Sequence, residues 1–282
     1  MTARSLLSCL NPLHWFSRGP KIAVVRLSGA IGLPWPARGG GLSMASMAGP
    51  LERAFRLKNL QAVALAINSP GGSAVQSSLL AKRIRALALE KKVPVLAFVE
   101  DVAASGGYWL ATAGDEIFAD ESSIVGSIGV ISSGFGFADL LQRIGVERRV
   151  HTAGSRKSML DPFRPEQPED VARLERLQGE IHDNFKAQVR ERRGTRLKGE
   201  EAELFSGEFW TARQALSRGL IDGIGDLRKT LRERFGTKVK LVPVTARRGL
   251  FGRRLALGRL DGWAERALAA TEERALWARF GL

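Results

Sequence analysis

Short runs of consecutive apolar residues, each closed by glycine, serine, proline or asparagine, recur along the first half of the chain. Residues 22–27 (IAVVRL), 62–67 (AVALAI) and 93–99 (VPVLAFV) lack a regular polar face, as expected of strands covered on both sides. Residues 50–58 and 74–91 instead space their apolar positions for helices, with Leu51, Ala54 and Phe55 on one stripe of the first. Small residues at 102–107 open a further helix through Tyr108, Trp109 and Ala113. Residues 116–119 predict a short strand, and 123–131 (SIVGSIGVI) a turn followed by another. Strand, turn and helix in alternation imply right-handed crossovers and a parallel sheet.

The second half is more polar. It predicts a helix over 138–144, a strand over 147–151 and a long polar helix from 165 to about 193. A short helix over 209–218, a last strand over 238–244 and an amphipathic helix over 260–280 complete the pattern. The Gly/Pro-rich stretch 29–49, with Pro34-Trp35-Pro36, reads as a long connection or rim. Three parts are expected: an apolar and basic tail over 1–20, one α/β domain over 21–244, and an arginine-rich tail over 245–282.

Composition narrows the chemistry. At 282 residues and 44% hydrophobic the chain is long enough for one sizeable core. Its single cysteine, Cys9, excludes an internal disulfide and a cysteine-rich metal site. The three histidines, His14, His151 and His182, have no metal-ligand spacing, so neither metal nor cofactor is expected. A net charge of +14 attracts phosphate, nucleic acid or anionic lipid. Because the arginines are scattered over helices and the C-terminal tail, an anionic membrane surface is the expected partner and nucleic acid is not. No run of eighteen apolar residues predicts a membrane-spanning helix, and residues 1–20 lack the apolar core and cleavage site of a secretory signal. Leu13, Trp15 and Phe16 flanked by Arg4 and Arg18 suit a membrane surface instead. The location expected is cytoplasmic and peripheral to the inner membrane.

Two strand-to-helix junctions carry the candidate chemistry. Ala104-Ser105-Gly106-Gly107-Tyr108 puts a serine at a helix N-terminus beside glycines that admit a substrate backbone. Asn68-Ser69-Pro70-Gly71-Gly72 turns backbone N–H groups outward, as an oxyanion hole requires. Each has a plain alternative, a helix N-cap for the first and a strand-to-helix turn for the second. A nucleophilic serine also needs a base. His151, at the end of the predicted strand over 147–151, and Lys157, which follows that strand, are the candidates, whereas His14 lies in the tail and His182 in a polar helix.

Those two junctions, with Gly126-Ser127-Ile128-Gly129-Val130 and Gly154-Ser155-Arg156-Lys157 followed by Pro162-Phe163, stand in the order seen in the signal peptide peptidase A and SohB family of serine peptidases, family S49. The chain resembles the short type of that family over about residues 21–244. The resemblance implies a ClpP/crotonase-like α/β fold, a spiral of ββα units with buried parallel strands. It implies Ser105 as nucleophile, Lys157 as general base and Ser127 as the residue orienting that lysine. Gly72 is the implied oxyanion donor, with the amide of Ser105 or Gly106 as a second. Peptide substrates are implied, signal-peptide remnants or other short apolar peptides, together with assembly into a homo-oligomeric ring whose neighbouring chains can share a site. A lysine works as a base only when neutral, and in water, with a pKa near about 10.4, it scarcely is. Lys157 is therefore expected to lie buried beside Ser105 and Ser127. Two other readings fit parts of the chain: a crotonase-type acyl-CoA hydratase or isomerase, and a non-catalytic membrane-associated scaffold.

Overall fold

The computed structural model describes residues 19–32, 41–245 and 263–282. Expectations for the N-terminal tail, for Pro34-Trp35-Pro36 and for Arg247, Arg248, Arg253 and Arg254 lie outside the described residues. In chain order the elements begin β1 (Lys21–Ser28), α1 (Met44–Phe55), β2 (Leu60–Ser69), α2 (Ala74–Lys91), β3 (Val95–Ala104) and α3 (Gly106–Ala111). Then come β4 (Glu116–Ala119), β5 (Ile124–Gly126), α4 (Ala138–Arg143), α5 (Pro168–Arg193), α6 (Glu201–Leu204), β6 (Phe209–Thr211) and α7 (Ala212–Ser217). The last are β7 (Gly223–Ile224), α8 (Leu227–Phe235), β8 (Lys240–Val244) and α9 (Trp263–Ala278).

The sheet runs β6-β5-β3-β2-β1-β8, with every pair parallel except β5 and β6. Strand β3 serves two neighbours on one side. Its first half pairs with β4, which also pairs with β7, and its last three residues pair with β5. Side chains alternate between two cores. Val25, Leu27, Leu65, Ile67, Ala97 and Val99 face α2 and α3 with Leu80, Ile84 and Tyr108. Ile22, Ala62, Ala64, Leu96 and Phe98 face α8 through Leu231. Burial on both faces is the reason these strands read as unbroken apolar runs. The parallel α/β expectation holds.

Several boundaries differ from expectation, each for a local reason. Helix α1 begins at Met44 because Ser43 and Ser46 form a reciprocal capping box well ahead of Pro50, which ends up inside the helix. Strand β3 continues to Ala104, since Val102, Ala103 and Ala104 find partners in β5. Residues 209–211 pair with β5 before a second capping box, Thr211 with Gln214, starts α7. Residues 147–151 form no strand; they are exposed, with Val146 and Val150 outside the core.

One buried ion pair ties α5 to the sheet. Arg193, 2% exposed, donates to both carboxylate oxygens of Asp222 at 2.7 and 3.0 Å and to the Gly219 carbonyl at 2.9 Å. Asp222 also accepts the Ile117 N–H from β4 at 2.8 Å. Burial alone would push the Asp222 carboxyl up, but the hydrogen bonds and charge of Arg193, with Ile117 and Arg196, hold it below the usual carboxylate range. Tyr108, fully buried, donates to the Leu220 carbonyl at 2.7 Å, and burial pushes its phenol up.

Candidate active site

The carboxyl ends of β2, β3 and β5 lie together at one edge of the sheet, where parallel strands release their chains into loops and helices. Ser105 follows β3 directly. Its φ of 52° and ψ of −121° fall where side-chain-bearing residues rarely sit. The turn is held by its own backbone: the Ser105 N–H donates to the Gly126 carbonyl at 2.8 Å, and the Ser105 carbonyl accepts the Trp109 N–H at 3.0 Å. The Ser105 hydroxyl caps no helical N–H and bonds to no described residue, so the N-cap reading does not account for this serine.

Two glycines after it let α3 press against α2 and against strand β2. A Cβ on Gly106 would stand 2.4 Å from Ser77 Oγ, and one on Gly107 would stand 2.4 Å from the Ser69 carbonyl oxygen. The β2 junction is equally tight. Ser69 donates its hydroxyl to the Gly29 carbonyl at 2.7 Å and accepts the Gly71 N–H at 3.2 Å. Gly71 and Gly72 have φ of 104° and 137°; a Cβ on Gly71 would meet Ser105 Cβ at 2.8 Å, and one on Gly72 the Ile31 carbonyl oxygen at 2.2 Å. Only glycine fits either place.

The loop after β1 fixes which amides remain free. Ile31 donates to the Gly71 carbonyl and accepts from the Ser73 N–H, each at 2.8 Å. Alternation along an extended backbone turns the Gly72 N–H the other way, and among the described residues it has no acceptor. The Gly106 N–H, at the first turn of α3, also has none, whereas the Ser105 N–H is occupied by Gly126. Of the two second donors considered from the sequence, only Gly106 is unengaged.

Ser127 is the register neighbour of Ser105. Ala104 pairs with Gly126, so the two serines leave adjacent strands at equivalent positions. Ser127 is 5% exposed and shares the φ of 52°. Its N–H donates to the Glu208 carbonyl at 2.7 Å, and the next carbonyl, Ile128, lies 3.0 Å from His182 Nε2. A carbonyl can only accept, so that ring nitrogen carries hydrogen and is not available as a base. His182, set aside from the sequence because it lies in a polar helix, is thus a neighbour of Ser127 through Ile128.

Lys157 lies in an exposed stretch, residues 151–157, and its ammonium makes no hydrogen bond or ion pair with any described residue. The expected burial beside Ser105 and Ser127 is therefore not made within one chain; the same holds for His151, which is exposed. Both belong to residues 131–167, a segment that keeps large apolar side chains in water: Ile131, Phe135, Leu140, Ile144 and Val146. Phe137 stacks on Phe163 there, with Phe135 tilted against Phe137, and a groove of about 1480 Å³ opens between 132–139 and the start of α5.

The model of peptidase family S49 matches residues 87–240, more than half of the chain and the part that holds Ser105, Ser127 and Lys157. The chain belongs to family S49. Relatives of this S49 chain include a Brucella abortus protein named Na(+)/H(+) antiporter NhaA, 54% identical over 98% of this chain but only 39% of that protein. Another is the chloroplastic serine protease SPPA of Arabidopsis thaliana, 32% identical over 75% of this chain and 31% of its own length. The S49 chain thus spans 31–39% of the length of these relatives. No helix among its described residues is long and apolar enough to cross a membrane. Two solved variants of a membrane-bound stomatin-specific protease share the fold. A serine-to-alanine form matches with a TM-score of 0.50 and 17% identity over 80% of this chain and 98% of that one. A lysine-to-alanine form, in complex with a substrate peptide, gives 0.51 and 14% over 90% and 99%. The ClpP/crotonase-like expectation for the fold stands.

Proposed function

We propose that this S49 chain is a serine endopeptidase that cleaves short apolar peptides, signal-peptide remnants among them, with Ser105 as nucleophile and Lys157 as base. The observation that carries the reading is the junction at Ser105. An unengaged hydroxyl in a sterically disfavoured turn is packed against Gly71, next to two unengaged amides, Gly72 and Gly106. Strain held at a functional turn is a recognised use of a rare backbone conformation. The peptidase unit is placed at 21–244.

Attack by Ser105 on a peptide carbonyl transfers its hydroxyl proton to neutral Lys157 and forms a tetrahedral oxyanion. The Gly72 and Gly106 N–H groups point to that oxygen, and such preformed donors are each worth about 2.7–4 kcal/mol of barrier. The lysine ammonium then protonates the leaving amine, and a water deprotonated by the same lysine releases the acyl group. Ser127, one strand away, holds the lysine in line. His182 offers no competing base, since its near nitrogen is a donor to Ile128. The hydratase reading gives way to the S49 match, and the scaffold reading is separated by the experiment below.

The exposure of Lys157 has a direct consequence. Neutral lysine requires removal from water, and one chain does not supply it. We place Lys157 in the site of a neighbouring chain, delivered by the segment 131–167, whose exposed apolar surface is covered in a homo-oligomeric ring. Hydrolysis of an apolar peptide amide by the intact chain tests the dyad, with activity lost to below about 0.1% in Ser105→Ala and in Lys157→Ala. Mixing the two inactive proteins is expected to restore activity, because mixed assemblies contain sites with both residues. Activity surviving Ser105→Ala would end the peptidase reading. No recovery on mixing would place both residues in one chain.

A further inference from the structure

The last turns of the chain touch the loop after β1 and the strands β3, β5 and β6 around the proposed site. Glu273, on α9, accepts the Ala30 N–H at 3.3 Å, and Trp277 Nε1 lies 3.5 Å from the same carboxylate oxygen. Ala30 is 2% exposed and immediately precedes Ile31, whose N–H and carbonyl hold Gly71 and Ser73 on either side of Gly72. Phe280, 8% exposed, packs on Val102 and Ala104, the residues behind Ser105, with Ile124 of β5 and Trp277 alongside. Its ring also meets Phe209 edge-on at 5.1 Å, and Phe209 is the register partner of Gly126, next to Ser127.

These contacts lie on the sheet face opposite α2 and α3. On that face α8 covers the first half of the strands through Leu231, and Val102 and Ala104 would be bare without Phe280. We propose that Glu273 and Phe280 are positioning residues for the reaction. The C-terminal helix is a brace that fixes the Gly72 amide relative to Ser105 and Ser127, rather than a lid or a lipid-binding tail. The proposal rests on the peptidase reading of that edge. Its physical basis is alignment: oxyanion donors act only when held near the place where the charge develops, and an error of about 1 Å costs up to about a hundredfold in rate. The carboxylate fixes the loop through one charge-assisted bond, and Phe280 fixes the strand ends by filling space behind Ala104.

The test uses the full chain with Glu273→Ala, Glu273→Gln and Phe280→Ala, and Arg274→Ala, an exposed neighbour on the same helix, as control. Two quantities are read: kcat and KM for an apolar peptide amide, and amide hydrogen exchange over residues 30–32 and 71–73. Glu273→Ala is expected to speed exchange at Ile31 and Ser73 and to lower kcat about tenfold with KM within about twofold. Glu273→Gln, whose carboxamide oxygen still accepts from Ala30, is expected to stay near wild type, and Phe280→Ala to lose kcat as Glu273→Ala does. A helix serving stability alone would lower the melting temperature of Glu273→Ala without a selective change at 71–73. Unchanged exchange there overturns the brace whatever the hydrolysis shows, and a rise in kcat would make the helix an obstruction. Failure of the peptidase reading looks different: Ser105→Ala matches wild type while the exchange still reports on the brace.

Discussion

Ser105 is held at a φ of 52° by a backbone bond to Gly126 on one side and the start of α3 on the other. A conformation of this kind costs roughly 1–3 kcal/mol in a residue with a side chain and little in glycine. Ser105→Gly is therefore expected to be inactive yet to melt higher than wild type, by roughly 1 kcal/mol of added stability in a denaturant titration. A lower midpoint would mean that the turn is not strained. Asp222 gives a second residue-scale expectation. Its carboxyl is held below the usual range, so the unfolded chain binds that proton more readily than the folded one. The stability contributed by the Arg193 pair is complete above the unfolded value near about 3.9 and drains away as pH falls through the lower folded value. Thermal melts of wild type should fall across that acid window. Asp222→Asn should start lower and fall less, and parallel curves would remove Asp222 from the acid response.

At the scale of elements, the site is made by strand ends in register, and close packing makes it rigid. Gly107→Ala drives a methyl group toward the Ser69 carbonyl oxygen, 2.4 Å from the ideal Cβ position, and is expected to destabilise the fold by about 1–3 kcal/mol in urea titration. An unchanged midpoint would show that α3 can move off β2. How much of this was legible beforehand follows from what each element depends on. Strands β1, β2 and β4 and helix α2 were read nearly to their ends, because burial on both faces and helical spacing are local patterns. The end of β3 at Ala104 depends on β5, and β6 depends on the same strand, so neither has a local signature. Helix α8 was missed although Asp226 caps it through two backbone N–H groups, because nine mostly charged residues leave only a thin apolar stripe. The junctions at Ser105 and Gly72 were visible as strand–glycine–glycine motifs. Their mutual approach, and the role of Ile31 in choosing the free amide, needed the fold.

At the scale of the molecule, one chain brings together Ser105, Ser127, Gly72 and Gly106 and leaves Lys157 in water. The base was named from a resemblance, and no sequence pattern says which chain's site a projecting segment enters. Residues 131–167 expose Phe135 at 81% and Ile131 at 69%, the surface that the proposed ring would cover. Specific activity is accordingly expected to fall on dilution together with the assembly seen by light scattering, and constant activity in a monomer would contradict a shared site. Within the arginine-rich C-terminal tail, Trp277 and Phe280 pack on the sheet. The central claim is that Ser105 is a nucleophile activated by Lys157. Its most direct test is the mass of the protein after reaction with a fluorophosphonate, with the label mapped by peptide and its rate compared between wild type and Lys157→Ala. Label on Ser105 alone, formed at least about a hundredfold more slowly without the lysine, is the predicted result. Label on another residue, or equal rates in the two proteins, would contradict it.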